Sequence, residues 1–217
     1  MGTASTMSTG QFREFAGAVL RSLPDDLDST VAQEWIENQD SLRKVLRGVL
    51  VPEMSKSDLL EVLGTVAVPV TEKFVAKENF IVNTGRKAPV KISYVGSNFS
   101  ERFLGKVEKP KPGTQLRYAK LLKSSVDRPI LAELGNAAET ALAEIFHLMA
   151  TQPNGEDGAL LNNGYANIFY VRDVNGELRA VRVDWDGVGW DVRAISVASP
   201  DEWCDGRRVF SCNSCNA

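Results

Sequence analysis

Residues 163–197 read NGYANIFYVRDVNGELRAVRVDWDGVGWDVRAISV, and this stretch decides the fold class. Its runs are rich in Val, Ile, Phe, Tyr and Trp, and turn residues interrupt them at short intervals. VNGE at 174–177 is a two-residue Asn-Gly hairpin signal, and DGVG at 186–189 is a second turn. The spacing predicts a three-stranded antiparallel meander over 167–197, with RRVFS at 207–211 as a possible fourth strand.

Upstream, the texture alternates between short strands and loops. TVAVPV (65–70), NFIVN (79–83), PVKISYV (89–95) and QLRYAKLL (115–122) are β-rich runs separated by Gly, Pro, Asn and Ser. KVEKPKPGT at 106–114 reads as a Pro-interrupted loop, and one helical turn is expected at 58–63. A stronger helix is expected from Ala137 to Ala150, with Asn136 and Glu139 as capping box and Leu142, Ile145, Phe146 and Met149 as its apolar stripe.

The first fifty residues carry helical periodicity instead. Phe12, Phe15, Ala16, Val19 and Leu20 follow a Ser8 or Thr9 cap; Val31, Trp35 and Ile36 follow Asp28; Leu42, Val45 and Leu46 follow Asp40. The expected organisation is therefore α+β: a helical N-terminal domain over 1–54 built as a three-helix bundle, and an α+β domain over 55–217. The second domain has a β-rich middle with one packed helix and the C-terminal meander.

The chain has 217 residues, 43% hydrophobic and 24% charged, which is an ordinary globular balance that excludes disordered and fibrous classes. No apolar run approaches the roughly 18 residues that cross a bilayer, so no membrane partner is expected and the cytoplasm is the expected location. Cys204, Cys212 and Cys215 are an odd number, so reduced thiols are expected. Their zinc reading needs His147, the only histidine, as fourth ligand, and the paired spacing is incomplete.

GSNFSERFLGK at 96–106 lacks both the first glycine of a phosphate loop and the Ser or Thr after its lysine, and no dinucleotide glycine run is present. No cofactor is expected. Asp184, Asp186 and Asp191 with Trp185 and Trp190 have the composition of a hydrolytic or sugar-binding site. The plainer expectation makes Asp186 a turn residue and pairs Asp184 and Asp191 with Arg172, Arg182 and Arg193 across strands. VAQEWIENQDSLRKVL at 31–46 has the small and apolar positions of a helix-turn-helix, with Arg43, Lys44 and Arg47 as candidate DNA contacts; Ile36 replaces the turn glycine.

Charge is unevenly placed. Residues 84–128 carry a net +8, against −4 for 1–83 and −7 for 129–217. Arg86, Lys87, Lys91, Arg102, Lys106, Lys109, Lys111, Arg117, Lys120 and Lys123, interleaved with aromatics such as Tyr118, form the candidate binding set. Such a surface holds polyanions by counterion release and base stacking, so the expected partner is nucleic acid or an acidic protein. The expected function is a non-catalytic interaction protein. A hydrolase-like enzyme using the acidic meander, and a DNA-binding regulator using the helical bundle, are the alternatives.

QFREFAGAVLRSLPDDLD (11–28), KFVAKENFIVNTG (73–85), APVKISYVG (88–96), the segment 163–185 and GRRVFS (206–211) resemble a group of uncharacterised proteins of similar length from uncultivated bacterial lineages. The resemblance covers nearly the full chain and implies no activity, cofactor or partner. Those proteins end soon after the VFS strand with an Arg-Asn type ending, and the cysteines at 212 and 215 depart from it.

Overall fold

The computed structural model describes residues 8–22, 24, 26, 28–50 and 59–213. The chain is mixed α and β and divides into two units, Met1–Ser55 and Lys56–Ala217. The expected connection at 51–57 and Cys215 lie outside the described residues.

In the first unit, α1 (Thr9–Arg21) starts at Ser8, whose Oγ accepts the Gln11 N–H while the Gln11 side chain accepts the Ser8 N–H. This reciprocal box satisfies two of the orphan donors that every helix start exposes. The Asp28 carboxylate accepts from Thr30 and Val31 at the start of α2 (Ser29–Glu37). The third helix, α3 (Gln39–Leu50), begins earlier than expected: Asn38, not Asp40, supplies the cap by accepting from Ser41. No residue of α1 or α2 is buried, and Phe12, Leu20 and Ile36 are exposed.

The second unit is a seven-stranded mixed sheet. Its strands are β1 (Leu60–Val68), β3 (Ile92–Val95), β5 (Thr114–Leu121), β6 (Asn167–Arg172), β7 (Leu178–Trp185), β8 (Trp190–Ser196) and β9 (Arg208–Cys212), in the order β1-β5-β9-β6-β7-β8-β3. Pairings are antiparallel except β6 with β9 and β3 with β8. β2 (Phe74–Val75) and β4 (Val107–Glu108) form a separate two-stranded ribbon. The α-helices of this unit are α4 (Ala76–Asn79), α5 (Ser97–Phe103), α6 (Asp127–Leu134) and α7 (Leu142–Thr151), with a 3-10 turn at Gly135–Ala137 between the last two. Among the described residues no helix is long and apolar enough to cross a membrane.

Both faces of the sheet are covered, which explains why all of Asn167, Ile168, Phe169, Tyr170 and Val171 are buried. Side chains alternate between faces along a strand. Phe169 and Val171 join Leu116, Phe210 and Val183 beneath α7 and α5. Ile168 and Tyr170 join Ala119, Leu121, Val209 and Trp203 beneath α6.

Four local expectations are corrected. Leu60–Leu63 extends as part of β1 and does not make a helical turn, because pairing with β5 outweighs a weak local helical preference. NFIVN is not a strand: Ala76–Asn79 is helical, and Ile81 and Val82 are exposed in a loop. The helix expected from Ala137 begins at Leu142, since a 3-10 turn over Gly135–Ala137 gives way to a run at 139–141 that lies beside β6, where the Thr140 N–H donates to the Tyr170 carbonyl at 2.8 Å. The turn at 173–177 has left-handed backbone only at Gly176 (φ +81°), so it is not the two-residue Asn-Gly form; Gly176 N–H donates to the Asp173 carbonyl.

Candidate anion-binding surface

The basic stretch 84–128 is spread over a loop, a ribbon and a strand, and the fold distributes its charges accordingly. Along β5, Lys120 and Tyr118 share a face with Leu116, while Arg117 points to the opposite face and donates to the Ser211 hydroxyl at 3.4 Å. The strand therefore cannot present Arg117 and Lys120 to one flat ligand. Arg86 and Lys87 are exposed on the loop before β3, Lys91 and Arg102 are half-buried, and Lys123 is exposed beyond β5.

Tyr118 is not an open stacking platform. The Arg208 guanidinium lies 5.3 Å from its ring centre, and the Phe210 ring lies 5.9 Å away. Arg208 is a cation missed in sequence; burial lowers its pKa, and its Nη1 donates to the Gly158 carbonyl at 2.8 Å. No carboxylate of the described residues pairs with it.

Lys106, Lys109 and Lys111 do come together. They line a cleft of about 440 Å³ with Glu108, Thr140 and Ala141 at the start of α7. Here the Glu108 carboxylate accepts the backbone N–H groups of Leu142 at 3.0 Å and Ala143 at 2.9 Å. Glu144 reaches back to the Ala141 N–H at 2.8 Å and also accepts from Lys111 Nζ at 3.0 Å. Two carboxylates thus satisfy the helix start, where the dipole and the orphan amides favour negative charge. Lys106 lies 3.4 Å from Glu108 and also donates to the Arg172 carbonyl. Burial works against the Lys111 ammonium, but Glu144 and Glu108 outweigh it and raise its pKa. Lys109 is exposed and, among the described residues, forms no ion pair.

Glu108 and α7 are 34 residues apart, so no local pattern in the sequence announces this cleft. Glu144 is the better clue, standing three residues after the true N-cap, Ala141.

The acidic and aromatic cluster is arranged differently from expectation. Arg182 grips Asp184 through Nε at 2.6 Å and Nη2 at 3.0 Å, and Arg193 grips Asp191 through Nη2 at 2.6 Å, so the pairs run along strands and not across them. Arg172 pairs instead with Glu139 at 2.9 Å. Asp186 closes its turn by accepting from Val188 and Gly189. Trp190 is fully buried, donates to the Gln152 carbonyl at 3.0 Å and meets Trp185 edge-on at 5.3 Å.

Cys204 is exposed, Cys212 is half-buried on β9, and among the described residues no group of three or more His, Cys, Asp or Glu side chains could hold a metal ion. Burial lowers the pKa of His147 on α7. On α3, Arg43 makes an exposed ion pair with Asp40 at 3.2 Å; the side chains of Lys44 and Arg47 lie outside the described residues. No protein family, no curated protein and no solved structure matches the chain.

Proposed function

We propose that this chain is a cytoplasmic, non-catalytic interaction protein that binds an anionic partner, nucleic acid or acidic protein, through its basic middle segment. The cleft of Lys106, Lys109 and Lys111 is the focus of that surface; Arg86, Lys87, Lys120 and Lys123 are exposed elsewhere on the same unit and do not line it. In this proposal the N-terminal helices form a separate three-helix bundle and the C-terminal antiparallel meander is scaffold.

One observation carries the proposal. Of the ten candidate cations between 86 and 123, only Lys106 and Lys111 form ion pairs among the described residues, while Lys91 acts on Glu156 at longer range, so most of the segment's positive charge has no close carboxylate. An exposed cation without a partner costs little in the folded state and is available to neutralise an incoming anion. The paired state of Asp184 and Asp191 supports binding over hydrolysis, since neither carboxylate is free of a guanidinium.

The test is a fluorescence anisotropy titration with labelled single-stranded DNA and with labelled poly-glutamate, at roughly 50 mM and 200 mM salt. Saturable binding that weakens steeply as salt rises is expected for at least one probe. Flat titrations with both probes at the lower salt overturn the proposal.

A further inference from the structure

A second cleft of about 320 Å³ adjoins the first where β6 ends and β7 begins, and its lining includes Leu131, Ala138, Leu178 and Arg172. Asn136 and Glu139 line both clefts. The ridge between them is the run 139–141, fixed by two donations from Thr140 to the Tyr170 carbonyl, at 2.8 Å from its N–H and 3.2 Å from its Oγ1. The half-exposed ion pair of Glu139 and Arg172 crosses it at 2.9 Å.

The two clefts differ in chemistry. The first presents three ammonium groups, two of them already oriented by Glu108 and Glu144. The second presents Leu131 and Leu178, half-buried at the rim of the core beneath α6. A polyphosphate backbone laid along both would leave the aliphatic end unused. A peptide with acidic side chains at one end and an aliphatic side chain at the other complements both clefts at once.

Resting on the anion-binding reading above, we infer that the joined clefts take an extended acidic segment of a protein partner, with its carboxylates at Lys109 and Lys111 and one aliphatic anchor between Leu131 and Leu178. The anchor supplies desolvated contact and the lysines supply orientation, a division usual in peptide recognition.

The probe is a set of labelled acidic octapeptides in which a single leucine is walked through an otherwise Glu and Ala background, titrated against the full chain. One leucine position is expected to bind about tenfold tighter than the leucine-free peptide. That gain disappears in Leu178→Thr, while Lys109→Glu weakens every peptide; circular dichroism and melting curves of both variants confirm that they remain folded. A flat leucine walk with the Lys109 dependence intact overturns the anchored-peptide inference and leaves the anion-binding reading standing. Binding of single-stranded DNA alone, again dependent on Lys109, does the same and assigns the surface to nucleic acid. Failure of peptides and DNA alike removes both.

Discussion

Asp184 and Asp191 stand directly opposite each other on β7 and β8, and each is gripped by an arginine two residues along its own strand. Arg182 and Arg193 are likewise opposite each other, so two like-charged rows lie side by side. Like charges in directly opposed positions repel, and the arrangement holds because each carboxylate is neutralised within its strand. Both aspartates are 7% exposed, so removing a guanidinium strands a nearly buried charge. Arg182→Leu should cost about 2–3 kcal/mol, read as a lowered midpoint in urea unfolding. The double change Arg182→Leu with Asp184→Leu should cost less than Arg182→Leu alone. If the single and double variants match wild type, the ion pairs contribute nothing.

Asp127, at the start of α6, is buried, and one of its oxygens accepts both the Tyr170 hydroxyl and the Trp203 indole N–H at 2.8 Å. Burial raises its pKa above the ordinary 3.8, only partly offset by those two donors. A carboxyl whose folded pKa lies above its unfolded value favours folding most below the unfolded value. That contribution is lost as pH rises through the folded pKa. Asp127→Asn keeps an acceptor without the charge, so its stability relative to wild type should increase across this window and level off above it. Asp127→Ala should instead cost about 3 kcal/mol, because two buried donors lose their acceptor. Denaturation midpoints measured across acid to neutral pH decide both; parallel pH profiles for wild type and Asp127→Asn would contradict the assignment.

Glu108 holds two amides of α7 from a ribbon 34 residues away. Glu108→Ala should destabilise the second unit by about 1–2 kcal/mol. Added acetate should recover part of the loss by entering the vacated place. Thermal melts with and without acetate make the measurement, and an unchanged melting point for Glu108→Ala would show the cap to be dispensable.

Gly155 is a position where substitution should be severe. Its φ is +71°, and a Cβ there would stand 2.3 Å from Cε2 of Trp185. Gly155→Ala should therefore displace the indole and cost about 2 kcal/mol, visible as red-shifted tryptophan fluorescence with a lowered unfolding midpoint.

Much of the mixed fold is readable in single stretches. The run 168–171 is aliphatic and aromatic throughout because the sheet is covered on both faces, and Asp186-Gly187 marks the turn between β7 and β8 by the side chain's own hydrogen bonds. Leu60–Leu63 is not readable this way, since a short apolar run suits a helix as well as a strand and only β5 decides between them. The eight-residue α6 escapes notice because its stripe is short and Pro129 interrupts the pattern. The basic segment is visible as charge, yet its division between two sheet faces depends on strand parity, and the lysine cleft depends on Glu108 meeting a distant helix.

Charge reversal at one exposed lysine tests the location of binding most directly. Anisotropy titrations with labelled poly-glutamate and single-stranded DNA should show Lys109→Glu binding about tenfold more weakly than wild type, with Arg13→Glu on α1 unchanged. If Lys109→Glu binds both probes as tightly as wild type, the lysine cleft is not where the anionic partner docks.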